Sequence, residues 1–312
     1  LRGLLPEHLP HLGWLMVPCT IVIPTHNRDD LLVRAVRSAL QACPADGEVL
    51  VVDDKSIVPA AQVLAAETDP RLRVIVNTGQ KGAASTRNLG VAAAAGGVVF
   101  FLDDDDEILP GYCERVLRPD GPASQAAWGF SSTLERRVDQ TADGWRQRRR
   151  LTRGLVPRQT RTKDAFAAMS DGFWIRRTCF QQIGGLDPVQ SIDEDTDLCA
   201  RLLAQSRQPW YESDPGMRVY RGYVPARPDG AQLTLATSSA KGLQCYRHTY
   251  EKNAAPFGPY SEARWFLATR YLRRAVKAGQ VEEARRFARA QTPFLYSVVL
   301  RAYVCIKRLK HR

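Results

Sequence analysis

The chain has 312 residues, 44% of them hydrophobic and 25% charged, which is the composition of a globular protein with one large or two modest domains. No stretch is apolar enough to cross a membrane and no signal peptide is recognisable, so the sequence predicts a cytoplasmic protein. Seven scattered cysteines without CxxC spacing argue against a disulfide framework and against a zinc site.

The net charge of +11 comes from the C-terminal part of the chain. Residues 243–312 contain 15 Lys and Arg against 4 Asp and Glu, and the preceding residues are neutral. A uniformly basic enzyme would indicate a polyanionic substrate, whereas a basic tail indicates an attachment surface. Nucleic acid is not an expected partner, because aromatic residues do not alternate with basic ones in the tail.

Four short apolar segments predict buried strands over residues 19–24, 49–52, 72–76 and 98–102. Helical patterns lie between them, after Asp29 or Asp30, over residues 59–67, and between Gly82 and Gly96. This alternation indicates an α/β fold with a Rossmann-like, mostly parallel sheet. Residues 1–18 are then a proline-containing lead-in, and residues 19–118 a nucleotide-binding half.

The remaining sequence predicts an α+β half over residues 119–242 and a helical extension over residues 243–312. Residues 133–138 and 145–151 lie on either side of Ala142-Asp143-Gly144, which is a hairpin turn signal. The extension repeats apolar residues at helical spacing, and its last helix follows Thr292-Pro293.

An acidic run, residues 103–107, directly follows the fourth strand. In an open parallel sheet this position lies in the crevice where ligands bind. Adjacent carboxylates repel one another unless a cation is present, and oxygen ligands suit Mg²⁺ or Mn²⁺, which bridge carboxylates to phosphates. The alternative is a solvated acidic turn that caps the next helix, because helix starts are often acidic.

Other polar residues near the strand ends suit a nucleotide. Asp53 or Asp54 could accept hydrogen bonds from a base or ribose, and Lys81 and Arg87 could neutralise phosphate. Neither GxGxxG nor GxxxxGK[ST] is present in the sequence, so phosphate would be bound chiefly through a metal.

A second acidic group, residues 193–197, comes just before a helical pattern. A carboxylate that faces the same crevice would suit a general base for an acceptor hydroxyl. The alternative is an acidic first turn that interacts favourably with the helix dipole.

The order and spacing of these motifs resemble glycosyltransferase family 2. The resemblance covers residues 19–223 and is carried by residues 21–28, 51–56, 77–82, 86–90, 101–110, 184–187 and 194–198. It implies a GT-A fold with an acceptor-side half at residues 119–242. It also implies inverting, Mn²⁺- or Mg²⁺-dependent transfer of a sugar from a nucleotide donor, with a UDP-sugar as the commonest donor, to a glycan or lipid-linked acceptor in cell-surface polysaccharide or glycoconjugate synthesis.

The resemblance also implies roles for individual residues. The donor would be bound by Pro24, Thr25, Asn27, Arg28, Asp53, Asp54, Asn77, Lys81, Arg87, Asp103 and Asp104. Asp103 and Asp105 would form the DxD pair, with Asp105 as the direct metal ligand and Asp103 nearer the ribose. Asp195 would be the catalytic base, supported by Glu194 and Asp197.

Two positions depart from the family pattern. His26 stands where the family usually has tyrosine, and Gly222 and Tyr223 stand where many members have a histidine near the diphosphate. A third protein ligand to the metal is therefore not identified by the motifs.

Three alternatives stay open. The protein could be a catalytically inactive sugar-nucleotide-binding or scaffold protein, although all acidic positions are present. It could be a nucleotidyltransferase, although a Gly-rich loop with Arg or Lys is missing after the first strand. Residues 293–312 could attach to an anionic inner membrane surface, or pack on the catalytic domain with a solvated basic face.

Overall fold

The computed structural model describes residues 18–138, 144–148, 151–157, 162–166, 168–222 and 239–309. Outside these ranges lie residues 1–17 of the lead-in, Ala142 and Asp143 of the turn signal, Tyr223, and residues 310–312 of the basic tail.

Four parallel strands form the first half of the sheet: β1 (Cys19–Thr25), β2 (Glu48–Asp53), β3 (Leu72–Val76) and β4 (Val98–Phe101). Their order is β3-β2-β1-β4, and they are connected in turn by α1 (Asp29–Ala42), α2 (Ala60–Val63) and α3 (Ala83–Ala93). Side chains of β1, β2 and β4 pack into core clusters on both faces of the sheet, which explains why the central residues of these strands are mostly apolar.

Two of the helix predictions are wrong at their ends. Arg28 is the N-cap of α1, and Asp29 and Asp30 lie in its first turn rather than capping it. α2 ends at Val63 instead of continuing to Glu67, because residues 64–66 form turns rather than α-helix.

The carboxyl ends of β1, β2 and β4 lie side by side. Thr25 pairs with Asp53 across β1 and β2, and Val22 pairs with Phe101 across β1 and β4. Gly90 allows α3 to approach β1, because a Cβ at this position would lie 2.4 Å from Val22 Cγ1. The polar segments that follow these strands therefore meet at the edge where open α/β sheets bind ligands.

In the described part of the chain, the sheet continues through six more strands: β5 (Glu107–Ile108), β6 (Trp128–Arg137), β7 (Arg146–Arg148), β8 (Gly154–Leu155), β9 (Trp174–Arg176) and β10 (Trp210–Arg221). β9 pairs antiparallel with β4 and β6, whereas β6 and β10 are parallel. β6 and β7 pair antiparallel on the two sides of the turn signal, which confirms the hairpin.

Among the described residues, five α-helices accompany these strands: α4 (Tyr112–Leu117), α5 (Pro122–Gln125), α6 (Thr162–Ala165), α7 (Arg177–Gln182) and α8 (Glu194–Ala204). The helical extension follows as α9 (Ala240–Asn253), α10 (Glu262–Lys277), α11 (Val281–Arg289) and α12 (Phe294–Leu309). It begins three residues before the predicted boundary at Leu243.

The extension shares its core with the sheet. Tyr271 of α10 and Leu300 of α12 belong to the same hydrophobic cluster as Val22 and Trp128 of the sheet. No helix in the described ranges is long and apolar enough to span a membrane.

Candidate functional site

A cavity of about 450 Å³ opens at the carboxyl ends of β1, β2 and β4. Of the residues predicted to bind a donor or metal, those that line it are Pro24, Thr25, Arg28, Asp54, Lys81, Arg87, Asp103, Asp104 and Asp105. His26 and residues 188–191 also contribute to its wall. The structure therefore brings together residues from five separate sequence motifs.

Asn27, Asp53 and Asn77, also predicted to bind the donor, hold the surrounding loops. The Asp53 carboxylate accepts hydrogen bonds from the backbone N–H groups of Ser56 and Ala60, both at 2.9 Å. Asn27 Oδ1 accepts one from the backbone of the same loop at 2.7 Å, and Asn77 Nδ2 donates one to an Asp54 oxygen at 2.8 Å. These side chains shape the cavity, and their direct contact with a donor stays a prediction.

Three carboxylates of the acidic run lie close together. Asp103, Asp105 and Asp106 each offer an oxygen within 4.8 Å of the others. The alternative of a solvated helix cap does not agree with the structure, because Asp104 and Asp106 are buried and the next helix, α4, has Gly111 as its N-cap.

The surroundings of this acidic run fit a divalent cation. Burial raises the pKa of Asp104 to about 7 against the lowering effect of Arg28, and burial together with the Asp105 and Asp103 charges raises the pKa of Asp106. Carboxylates held this close in a partly buried site are stabilised by a hard cation with oxygen ligands, such as Mg²⁺ or Mn²⁺. Asp106 was not among the predicted ligands, because the order of residues in the run Asp103–Asp106 does not show which side chains converge.

Arg87 connects the two acidic motifs. It is buried, its Nη2 donates to Asp103 Oδ1 at 2.6 Å, and its Nη1 donates to Glu194 Oε1 at 3.1 Å. The predicted metal-binding run and the predicted catalytic group, far apart in the sequence, therefore contact the same guanidinium.

Glu194 and Asp195 form the first turn of α8. The backbone N–H of Thr196 donates to Asp195 Oδ1 at 2.7 Å. Asp193, the N-cap, has a left-handed backbone with φ of 71° and accepts a hydrogen bond at 2.6 Å from Nε of Arg270 in α10. A residue of the helical extension thus contacts the second acidic group, although the family resemblance covers only residues 19–223.

The first turn of α8 has unusual electrostatics. Burial raises the pKa of Glu194 to about 7 and that of Asp193 to about 6, although Arg87 and Arg270 respectively oppose the change. A raised carboxyl pKa means that the folded state disfavours the ionised form, so Glu194 lowers stability as the pH rises from about 4.5 to about 7.

We expect Glu194→Gln to lose less thermal stability than the wild type as the pH rises through this window, because the amide does not ionise. Melting temperatures of both proteins between pH 4.5 and pH 7 measure the difference. Glu251→Gln is the matched control, since Glu251 is exposed in α9, and it should follow the wild-type curve. If the melting temperatures of Glu194→Gln and the wild type changed equally with pH, the raised pKa of Glu194 would be contradicted.

Asp197 was predicted to support the base, but its fully buried carboxylate joins α8 to α9. It pairs with Arg201 Nη2 at 2.7 Å and Lys252 Nζ at 3.2 Å, and it accepts a hydrogen bond from Asn253 Nδ2 at 2.8 Å. Its contacts therefore secure the helical extension on the catalytic half.

Asp197→Ala should lower the free energy of unfolding by about 3 kcal/mol, because it removes a fully buried carboxylate and leaves the buried Asn253 amide and the partly buried Arg201 without their partner. Urea unfolding measures this change. Glu251→Ala removes an exposed ion pair with Arg247 and should lower the free energy by under about 1 kcal/mol. Equal losses in the two variants would show that the buried pair does not hold α9 in place.

Known structures share this architecture. The structure of Staphylococcus aureus TarS (residues 1–349) in complex with UDP-GlcNAc matches with a TM-score of 0.66 and 14% identity, covering 94% of this chain and 89% of the TarS chain. This likeness shows the fold and confirms the predicted GT-A class.

Sequence relatives match more locally. The succinoglycan biosynthesis protein ExoO of Rhizobium meliloti is 38% identical over 109 residues, which are 35% of this chain and 31% of ExoO. ExoU of the same organism is 38% identical over 213 residues, 59% of this chain and 56% of ExoU. An uncharacterized glycosyltransferase of Haemophilus influenzae is 27% identical over 238 residues, 75% of this chain and 77% of the relative. The chain thus spans about a third of ExoO and just over half of ExoU.

The model of the family named glycosyl transferase family 2 matches residues 20–184. This segment includes the three strand ends around the cavity and the acidic run. The chain therefore belongs to glycosyl transferase family 2, as its motifs predict.

Proposed function

We propose that this protein is an inverting glycosyltransferase that moves a sugar from a nucleoside-diphosphate donor, a UDP-sugar as first choice, to a hydroxyl of a glycan or lipid-linked acceptor. The observation that carries the proposal is the contact of Arg87 with both Asp103 and Glu194. This contact joins a site suited to a diphosphate and a metal to a site suited to a base, and inverting transfer needs both a stabilised leaving group and a base.

The comparisons support the substrate class. TarS has been solved with UDP-GlcNAc and with UDP, and ExoO and ExoU are named for succinoglycan biosynthesis. A relative in Escherichia coli, WcaA, is named as a colanic acid biosynthesis glycosyl transferase. Synthesis of a cell-surface polysaccharide is therefore the proposed setting. A cytoplasmic location agrees with the seven cysteines, all of which are free thiols.

Asp105 and Asp103 are the proposed metal ligands, and Asp106 is the candidate for the third ligand that the motifs did not identify. A bound Mn²⁺ or Mg²⁺ would neutralise charge on the departing diphosphate. Arg28 and Lys81 line the same cavity, and this supports the proposal that their cationic groups bind diphosphate oxygens. Thr25 donates to Asp104 at 2.8 Å and thereby holds the run in position.

Asp195 is the proposed base. The acceptor oxygen forms a bond to the anomeric carbon, the bond between that carbon and the diphosphate oxygen breaks, and the hydroxyl proton moves to the Asp195 carboxylate. Glu194, held by Arg87, would fix the first turn of α8 beside the diphosphate site. A single displacement of this kind inverts the anomeric configuration.

A thermal-shift panel of UDP, GDP, CMP and dTDP, each with and without Mn²⁺, tests the donor assignment. A ligand that binds only the folded state raises the melting temperature by mass action, so one nucleotide should raise it more with Mn²⁺ than without. A panel in which no nucleotide has an effect would contradict the proposal. Nucleotide binding without release of sugar from any donor would favour the inactive binding protein instead.

A further inference from the structure

The last helix, α12, has two apolar faces, one buried against the protein and one exposed. Tyr296, Leu300 and Val304 are buried, and the Tyr296 hydroxyl donates to the Arg264 carbonyl oxygen in α10 at 3.2 Å. The helix is therefore docked on the helical extension through this face.

The opposite face is exposed and also apolar. Its members are Phe294, Leu295, Val298, Val299, Ala302, Cys305, Ile306 and Leu309, all exposed. At 3.6 residues per turn these positions span about 140° of the helix circumference, and no charged side chain of the described helix falls between them. Phe294 and Leu309, at its two ends, are 75% and 71% exposed. A continuous exposed stripe of this length marks an interaction surface.

The border of the stripe is basic. Arg301 and Arg308 lie along one edge, Lys307 lies near the C-terminal end of the helix, and no acidic residue occurs in α12. The sequence continues with Lys310, His311 and Arg312. Two copies of this helix packed face to face would bring their like charges together, whereas an anionic surface would be attracted to them.

Aromatic residues flank the same surface. Tyr260, which is exposed, and Trp265 line a cavity of about 350 Å³ together with Tyr296 and Val299. Aromatic rings with a polar tip are suited to the boundary between hydrocarbon and water.

We propose that the exposed face of α12 lies in the interface of a membrane that contains anionic lipids, with Arg301 and Arg308 against the headgroups. An amphipathic helix binds a bilayer in this manner through its buried apolar area and its basic residues. The sequence left open whether this helix packs on the protein or attaches to a membrane. On this proposal it does both, since one face packs on the protein and the other faces outward. This proposal does not depend on catalysis.

Co-sedimentation of the full chain with vesicles tests the proposal. Vesicles of three parts phosphatidylcholine to one part phosphatidylglycerol should sediment the protein, pure phosphatidylcholine vesicles should sediment much less, and added salt should weaken the binding. Val299→Glu combined with Ile306→Glu should abolish sedimentation. Val76→Glu is the matched control, because Val76 has the same exposure as Val299, 52% against 51%, but lies at the end of β3.

A second variant tests the charges separately. Arg301→Gln combined with Arg308→Gln should weaken binding about 30-fold, since each basic residue near an anionic surface contributes a factor of about five. Full sedimentation of the Val299→Glu/Ile306→Glu variant, or failure of the wild type to sediment with anionic vesicles, would overturn the proposal. Analytical ultracentrifugation tests whether the face binds a second copy of the chain. A wild-type dimer that the Val299→Glu/Ile306→Glu variant dissociates would also overturn the proposal. Transferase activity toward a water-soluble acceptor stays unchanged in these variants, which separates this test from that of the proposed function.

Discussion

Asp195→Asn is expected to lower the rate of sugar transfer by about 10²- to 10⁴-fold, the contribution of a positioned general base. Asparagine has nearly the same shape and can keep the hydrogen bond from the Thr196 N–H, but its amide cannot take the acceptor proton. Asp195 is not among the residues that line the donor cavity, so nucleotide affinity should be nearly unchanged.

Release of nucleoside diphosphate in the presence of acceptor measures transfer, and calorimetry measures nucleotide affinity. Asp120→Asn is the control, since Asp120 is an exposed aspartate in the turn before α5, and it should retain full activity. A fully active Asp195→Asn variant would remove Asp195 from the role of base. If Asp195→Asn lost nucleotide binding as well as transfer, Asp195 would belong to the donor site rather than act as the base.

Asp105→Asn is expected to weaken Mn²⁺ binding in the presence of nucleotide by at least about 100-fold. Loss of an outer partner of a metal ligand costs 10- to 100-fold in metal affinity, and loss of a direct ligand should cost at least as much. The same change replaces the Asp105 carboxylate in its ion pair with Arg28 by a neutral amide, so the site loses a negative charge as well as a ligand.

The fall of the free Mn²⁺ signal in electron paramagnetic resonance measures this binding directly. Glu107→Gln is the matched control within the acidic run. The Glu107 carboxylate contacts Arg34, Arg218 and the Tyr220 hydroxyl and lies outside the Asp103–Asp105–Asp106 cluster. Equal Mn²⁺ binding by Asp105→Asn and the wild type would show that the cluster does not hold the metal.

The first half of the fold could be predicted because its strands are buried on both faces. The apolar segments that became β1, β2 and β4 are almost free of polar residues, with only Thr20 inside them, and parallel pairing then fixes where their ends lie. The convergence of Asp54, Asp103 and Asp105 on one cavity follows from this local information alone.

The rest of the site depends on contacts between distant parts of the chain. β9 inserts antiparallel between β4 and β6, and periodicity does not specify such a pairing. Arg270 reaches Asp193 from α10, a helix whose amphipathic pattern predicts only packing. The resemblance implies that Asp197 supports the base, and its contacts with Lys252 and Asn253 of α9 could not be read from the motif.

The most direct test of the central claim is a crystal structure of the protein with UDP and Mn²⁺, in which anomalous scattering locates the metal. We expect the metal to be bound by carboxylate oxygens of Asp103 and Asp105, with the diphosphate beside it and the uridine in the cavity at the ends of β1 and β2. A nucleotide bound in another part of the molecule, or a metal bound away from these two aspartates, would contradict the proposed site.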